Sequence, residues 1–215
     1  MNTNISAFEN AKKQIKNTFD LYEIDNKYLD IISNPKRVLD VSIPVKMDNG
    51  EIKIFQAYRS QHNDSRGPFK WGIRFHPEVS LDEVKALSIW MSLKVAVVDI
   101  PLGWGKWGII VDPKTLSLWE LERLSRGYVQ AIFKNIGPLV DIPAPDVNTN
   151  SQIMAWMVDE YSKLAGVFTP WVFTGKPLSI WGSLWRDKAT SLWGFFVLEK
   201  ILELKNDSLA GKTVE

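Results

Sequence analysis

Segments with the two-residue period of a β-strand alternate along this chain with segments that have the spacing of an amphipathic helix. Apolar residues alternate with polar or small ones over 39–45, and after the turn signal Asp48-Asn49-Gly50 a second strand pattern covers 52–58. The sequence WGIRFHP predicts a short strand over 71–77. An order in which strands and helices alternate is typical of the α/β class.

Two of the predicted helices begin at capping boxes. Ser80 stands three residues before Glu83, and Ser117 three residues before Glu120, in each case ahead of apolar residues at helical spacing. Asn150 is a further candidate N-cap. These signals predict an α/β fold with a mostly parallel sheet that is covered by helices, with additional helices over 5–32, after Asn150, and from about Asp187 to Leu204.

Two glycine-rich or proline-rich segments are predicted to be loops. The run VAVVDIPLGWGKWGIIVDP (95–113) is interpreted as two buried strands around a loop, GWGKWG (103–108). Glycines on both sides of Lys106 favour a place where backbone comes close to a small anion. DIPAPDVNTN (141–150) is interpreted as a rigid proline loop.

Composition excludes several classes of function. A net charge of +1 provides no global field for nucleic acid or an anionic membrane. The absence of cysteine excludes disulfides, thiolate zinc sites and cysteine nucleophiles, and two histidines are too few for a His-rich metal centre, so we expect no metal site. A polar N-terminus without an apolar core and the lack of a long apolar run favour a cytoplasmic protein.

Three lysines lie at the predicted ends of strands or helices: Lys70, Lys94 and Lys106, of which Lys106 directly follows a glycine. Cationic side chains suit the carboxylates of a small diacid, and a desolvated lysine can act as a base near neutral pH. Asp146 lies in the segment stiffened by prolines. Taken singly, each lysine is more often a solvated surface charge, and Asp146 is more often a turn or cap residue.

Five long segments of the chain are more informative than any short motif: YRSQHNDSRGPFKWGIRFHP (58–77), DEVKALSIWMSLKVAVVDIPLGWGKWG (82–108), DIPAPDVNTN (141–150), MAWMVDEYSKLAG (154–166) and TGKPLSIWGSLWRDKAT (174–190). Together they resemble the N-terminal, substrate-binding domain of the glutamate dehydrogenases in the Glu/Leu/Phe/Val dehydrogenase superfamily. The resemblance runs from about Val38 to Val214, and matches of this length are far more specific than a lone short motif.

The resemblance implies a role for each candidate residue. Lys106 would activate the water that attacks the iminium intermediate, and Asp146 would carry protons to and from the amino group. Lys94 would hold the α-carboxylate, and Lys70 would hold the side-chain carboxylate of glutamate or 2-oxoglutarate. Thr190 matches a family threonine near the cleft.

The resemblance also implies a domain plan. Residues 1–36 would form an N-terminal helical segment, 37–205 the substrate-binding and oligomerisation domain, and 206–215 the start of the dinucleotide-binding domain. No GxGxxG follows, so we expect the Rossmann lobe that binds NAD or NADP to be missing and the chain alone to be inactive. Relatives of this kind form homo-oligomers, typically hexamers.

Tryptophan is the anomaly of the composition. Five of the ten tryptophans directly precede a glycine, although random placement of 13 glycines in 215 residues would give fewer than one such pair. The family has or tolerates glycine where this chain has Trp71, Trp104, Trp107, Trp171, Trp181, Trp185 and Trp193. By contrast, Trp90 and Trp156 match family aromatics.

One systematic cause explains seven such changes better than seven independent mutations. Our preferred hypothesis is that UGA codons meaning glycine were decoded as tryptophan. Deliberate engineering and genuine aromatic platforms for sugars or bases are the alternatives.

Three other functions remain open at this stage. The chain could be a non-catalytic, tryptophan-rich binding module, in which case tryptophans would be spread over an exposed sheet face. It could belong to an amino-acid dehydrogenase for Leu, Val or Phe, although a lysine at position 70 disfavours that choice. It could also serve as an oligomerising scaffold.

Overall fold

The computed structural model describes residues 6–184, 186 and 188–213, and this part of the chain has five strands and six α-helices. The strands are β1 (Arg37–Lys46), β2 (Ile52–Asn63), β3 (Phe69–His76), β4 (Gly103–Ile110) and β5 (Asp141–Pro145). The helices are α1 (Ala7–Leu21), α2 (Leu29–Ser33), α3 (Leu81–Val97), α4 (Leu118–Ile132), α5 (Ser151–Ala165) and α6 (Ala189–Leu204).

The strands form one sheet in the order β1-β2-β4-β3-β5. β2 pairs antiparallel with both β1 and β4, whereas β3 pairs parallel with both β4 and β5. Four strands therefore run in one direction and only β2 runs against them. The predicted α/β class and the mostly parallel sheet are confirmed.

Helices cover both faces of this sheet. Neighbouring residues of a strand point to opposite faces, and on β4 the Trp107 ring packs against Tyr128 of α4, while Gly108 lies against Val84 of α3. α4 and α5 complete the main core on the first face. On the second face α1 packs on α3 through a smaller cluster, Ala11, Ile15, Phe19, Ala86 and Ile89.

The predicted helix starts are confirmed in their cap geometry. The Ser80 hydroxyl accepts the Glu83 N–H at 3.2 Å, and the Asn150 side chain accepts the Ile153 N–H at 3.1 Å. Both hydrogen bonds of the capping box at Ser117 are present, whereas the box predicted at Ser80 is only half formed, because the Glu83 carboxylate accepts from Arg74 instead. Such caps satisfy backbone N–H groups that have no partner within the helix.

The interpretation of 95–113 was wrong in two respects. Val95–Val97 complete α3 instead of forming a strand, because no helix breaker intervenes between Ser80 and Pro101 and a short apolar run does not distinguish helix from strand. GWGKWG is part of β4 and not a loop. Its glycines are required by close packing, since an added Cβ at Gly105 would collide with the Arg59 guanidinium.

The proline loop over 141–150 also needs correction, because Asp141–Pro145 form β5. Proline is tolerated in this position since β5 lies at the edge of the sheet. At the C-terminal end, α6 begins at Ala189, and the predicted start at Asp187 lies outside the described residues. The predicted N-terminal helical region divides into α1 and α2.

None of the helices in the described part of the chain is long and apolar enough to cross a membrane.

Candidate active site

Lys106 and Asp146 form an ion pair between the middle of β4 and the segment that follows β5. The Lys106 side chain is 4% exposed and that of Asp146 19%. Burial lowers the pKa of Lys106, although the Asp146 carboxylate opposes this change and raises it. The pair is therefore a proton donor and acceptor in direct contact, with the lysine shifted toward its neutral form.

The backbone around Asp146 is held by hydrogen bonds. Its N–H donates to Thr149 Oγ1 at 2.7 Å, and the Thr149 hydroxyl lies 2.9 Å from the Ile73 carbonyl oxygen, an acceptor on β3. Gly72 provides the space beside the carboxylate, since a Cβ there would lie 2.5 Å from Asp146 Cβ. The position of the carboxylate is thus set by β3 as well as by β5.

Arg74 is a neighbour of this pair that the sequence analysis missed. Its Nε lies 3.7 Å from Asp146 Oδ2, and its Nη1 donates to Glu83 at the start of α3. The positive charge of Arg74 lowers the pKa of Lys106, whereas Glu83 raises it. The only sequence signal for Arg74 was its place in the family segment GIRFHP.

Lys70, on β3, donates a hydrogen bond from Nζ to Thr174 Oγ1 at 2.7 Å. Burial, helped by the nearby positive charges of Arg59 and Arg186 and opposed by Asp141, lowers its pKa to about 7. Thr174 was also missed, although it opens the family segment TGKP. The arrangement places a buried ammonium beside a hydroxyl, a combination that suits a carboxylate.

Lys94 is exposed in the last turn of α3. Its ammonium lies 5.8 Å from the ring of Trp71 and 5.8 Å from that of Trp193. The Trp71 ring packs on that of Trp104 with centroids 4.4 Å apart, and Trp104 pairs with Lys70 in the register of the sheet. Two indoles therefore connect the neighbourhood of Lys94 to that of Lys70.

Thr190 lies in the first turn of α6 and is exposed. Among the residues that the structure describes, it forms no hydrogen bond with the four charged residues above. Its predicted role stays a prediction.

The family model for the Glu/Leu/Phe/Val dehydrogenase dimerisation domain matches residues 35–163. The chain belongs to this family. It is 59% identical over 186 residues to the NAD-specific glutamate dehydrogenase of Clostridioides difficile, covering 86% of this chain and 44% of that protein. It is 55% identical over 190 residues to the catabolic NAD-specific enzyme of Bacillus subtilis, covering 88% of this chain and 43% of that protein.

Solved structures give the same result. A glutamate dehydrogenase from Peptoniphilus asaccharolyticus matches with a TM-score of 0.87 and 44% identity, covering 95% of this chain and 52% of that one. The hetero-hexameric glutamate dehydrogenase from Thermus thermophilus, in a leucine-bound form, matches with a TM-score of 0.91 and 39% identity. This match covers 98% of this chain and 51% of the Thermus chain. The chain spans about half the length of the relatives it matches.

The glycines of β4 do not form a dinucleotide-binding turn. Gly103, Gly105 and Gly108 have the spacing GxGxxG, but they lie within a strand, whereas the dinucleotide fingerprint requires a tight turn between a strand and a helix. The added Cβ positions meet backbone, Arg59 and Val79, so these glycines serve internal packing. No site for a nicotinamide dinucleotide is therefore assigned to the described residues.

Among the described tryptophans of this dehydrogenase domain, those on the sheet do not form a broad exposed platform, since Trp71 on β3 is only partly exposed. Trp104 and Trp107 are 3% and 0% exposed, and both lie inside β4. Trp171, Trp181 and Trp193 are exposed but lie outside the sheet, and Trp185 lies outside the described residues. This distribution disfavours a binding module that uses tryptophans on a sheet face.

Proposed function

We propose that this chain is the substrate-binding part of a glutamate dehydrogenase, which oxidises L-glutamate to 2-oxoglutarate and ammonia with a nicotinamide cofactor. The observation that carries the proposal is the buried Lys106–Asp146 ion pair. The relatives support the same proposal, because proteins 48–59% identical to this chain are named NAD-specific glutamate dehydrogenases.

Lys106 is the proposed base. Burial lowers its pKa, so a neutral amine that can accept a proton from water becomes more available near neutral pH. The water so activated attacks the carbon of the iminium form of the substrate. Asp146, in contact with Lys106, exchanges protons with the substrate nitrogen as ammonia leaves. The cofactor, when bound, accepts the hydride, and the described residues contribute only orientation and proton transfer.

Lys70 and Thr174 are the proposed partners of the side-chain carboxylate of glutamate. A substrate carboxylate would replace the hydrogen-bonded contact between them with two charge-assisted hydrogen bonds and favour the ammonium form of Lys70. An apolar side chain would leave this cation buried without a counter-ion. The same arrangement disfavours leucine, valine or phenylalanine as the substrate. Lys94 is proposed to bind the α-carboxylate and Thr190 to line the cleft.

The remaining features of the whole enzyme belong to the same proposal. We infer NAD in preference to NADP because the relatives compared above are NAD-specific glutamate dehydrogenases. We also propose a homo-oligomer in the hexameric form expected for the family: the dimerisation-domain match supports association between chains, and the hetero-hexameric Thermus structure supports the number six. The domain plan with residues 37–205 as the substrate-binding unit and a cytoplasmic location are also proposed.

The test is glutamate-dependent NAD reduction by the full-length protein with glycine at the seven family glycine positions. Lys106→Ala should lower kcat by about 10²–10⁴-fold, since a proton-transfer group is removed, and should largely spare NAD binding. Lys134→Ala, at an exposed lysine outside the site, is the matched control and should leave kcat unchanged. Equal losses in both variants would contradict the role of Lys106.

Substrate choice is tested separately with Lys70→Leu. This change should weaken glutamate and relatively favour leucine in kcat/KM, because the charge partner of the side-chain carboxylate is removed. An unchanged ratio of glutamate to leucine would contradict the assignment of Lys70 while leaving the dehydrogenase reaction itself in place.

A further inference from the structure

Two tryptophans have backbone conformations in which side-chain-bearing residues are strained. Trp71 has a φ of 131° within β3, and Trp181 has a φ of 69° at the end of a short 3₁₀ turn. Positive φ is uncommon for residues other than Gly, Asn and Asp, and for a bulky residue it is an outlier. Glycine adopts both conformations without strain. These two positions therefore have the backbone of a glycine.

Two other tryptophans are buried without a partner for the indole N–H. The Nε1 atoms of Trp104 and Trp107 are inaccessible and form no hydrogen bond within the described residues. By contrast, the Nε1 of Trp90 donates to Gln14 Oε1 at 2.7 Å. Buried donors are nearly always paired, and an unpaired one is destabilising.

The unpaired indole of Trp107 lies in a group of polar atoms that share the same defect. Arg59 Nη1 and the Tyr128 hydroxyl are also buried and unpaired, and both residues pack on the Trp107 ring. Both unpaired groups therefore belong to residues that contact the same indole ring. A residue without a side chain at position 107 would leave space for a water molecule beside Arg59 Nη1 and the Tyr128 hydroxyl, which the structure leaves unpaired.

Tryptophan in place of glycine at positions 71 and 104 also explains why the surroundings of Lys94 are crowded. The Trp71 and Trp104 rings contact each other at a tilt of 47° with centroids 4.4 Å apart, and the Trp71 ring lies 5.8 Å from the Lys94 ammonium, beside the position of Lys70 on β3. Without the two indoles this space beside two cationic side chains would be open to a small ligand.

We propose that the source cell inserts glycine at positions 71, 104, 107 and 181. The backbone angles carry the proposal for positions 71 and 181, and the unpaired buried indoles carry it for 104 and 107. Codons that are UGA and mean glycine in that cell would produce this pattern. Trp90, whose indole is paired, and Trp119, which is exposed on a helix with ordinary backbone angles, remain tryptophan. The inference concerns residue identity and does not depend on the proposed catalytic roles.

Peptide mass spectrometry of the protein purified from its own cells tests this directly. Trypsin releases residues 71–74, 95–106 and 107–114 as separate peptides, and residues 86–94, which contain Trp90, provide an internal control. We expect glycine masses at 71, 104 and 107 and a tryptophan mass at 90. Tryptophan at the three test positions would overturn the proposal, as would UGG at their codons.

The backbone argument is tested in the recombinant chain with exposure-matched variants. Trp181 and Trp119 are 68% and 65% exposed, but only Trp181 has a positive φ. Trp181→Gly and Trp71→Gly should raise the thermal midpoint, whereas Trp119→Gly should lower it, because glycine disfavours the helix α4. If both positive-φ variants melted lower than the parent chain, these positions would not be glycine positions and the proposal would fall.

Discussion

Arg59 and Asp141 form an ion pair inside the protein, and neither side chain has any exposed surface. Arg59 Nε lies 2.9 Å from Asp141 Oδ2, a second guanidinium nitrogen contacts the other carboxylate oxygen, and Gln61 Nε2 donates to the same carboxylate at 2.6 Å. The two residues lie on β2 and β5, with β4 and β3 between them. The pair thus links β2, in the interior of the sheet, to the edge strand β5.

Removing the charge of one partner of the Arg59–Asp141 pair should strongly destabilise the folded protein. We expect Asp141→Asn to lower the free energy of unfolding by about 3–5 kcal/mol, because a buried guanidinium loses its counter-ion. Asp64→Asn breaks the exposed pair between Lys36 and Asp64, and should lower it by less than about 1 kcal/mol. Urea unfolding of the two variants measures the difference. Similar losses of unfolding free energy in the two variants would show that burial does not determine how much an ion pair stabilises this protein.

Gly105 should not tolerate even a methyl group. An added Cβ collides with the Arg59 guanidinium, which cannot move because Asp141 holds it. Gly105→Ala should therefore cost about 1–3 kcal/mol of stability. Gly194→Ala is the matched control, since it lies in α6 with open space around it, and should stabilise by up to about 1 kcal/mol. Thermal melts that shift in the same direction would contradict this account.

Because of Lys70, the free energy of unfolding should change with pH between about 7 and 10.5. Its pKa falls from 10.5 in the unfolded chain to about 7 in the folded one, so between these values the unfolded state binds more protons and stability rises with pH. Below about pH 7 the penalty of the buried charge is complete. Lys70→Met should therefore be more stable than the parent at pH 6, and this advantage should shrink as the pH approaches 10. A difference that stays constant with pH, measured by urea unfolding, would refute the lowered pKa.

His62 should contribute to acid sensitivity. Its pKa is lowered from 6.5 to about 4 by burial, and its neutral ring donates from Nε2 to the Ile32 carbonyl at 2.9 Å. Its Nδ1 contacts the Ser92 hydroxyl. The unfolded state binds more protons between these values, so stability is lost as pH falls through this window.

The measurement for His62 is the urea midpoint at pH 7.5 and at pH 4.5. His62→Gln should lose less stability between the two conditions than the parent does. His76→Gln retains His62 and should show the parental loss. An identical acid loss in His62→Gln and the parent would assign the sensitivity to other groups.

Local signals in the sequence were sufficient for the starts of α3, α4 and α5. Ser80, Ser117 and Asn150 were recognised as caps because a cap acts within four residues of the chain. The strand β4 was not recognised, because glycine near lysine is also typical of a loop. The actual reason for Gly105 is contact with Arg59, a residue 46 positions earlier on another strand, and such a contact leaves no local pattern.

In the candidate site, too, some residues were predicted from the sequence and others were not. The resemblance to the dehydrogenase family placed Lys106 and Asp146 among the functional residues, and the structure brings the two into contact across 40 positions. Thr174 and Arg74 were missed since a threonine and an arginine in a strand or turn have no distinctive spacing. Their importance follows only from their contacts with Lys70 and Asp146.

The distance along the chain between Arg59 and Asp141 has a consequence for how this domain folds. The two residues are 82 positions apart, and the strands that separate them must be in place before the charges can meet. Closing such a long loop is entropically costly, and contacts of this kind are associated with slow folding. A β2 strand that joined the sheet early would bury Arg59 without its carboxylate. We therefore expect the docking of β5 to complete the sheet in one cooperative late step, with a rate that Asp141→Asn slows.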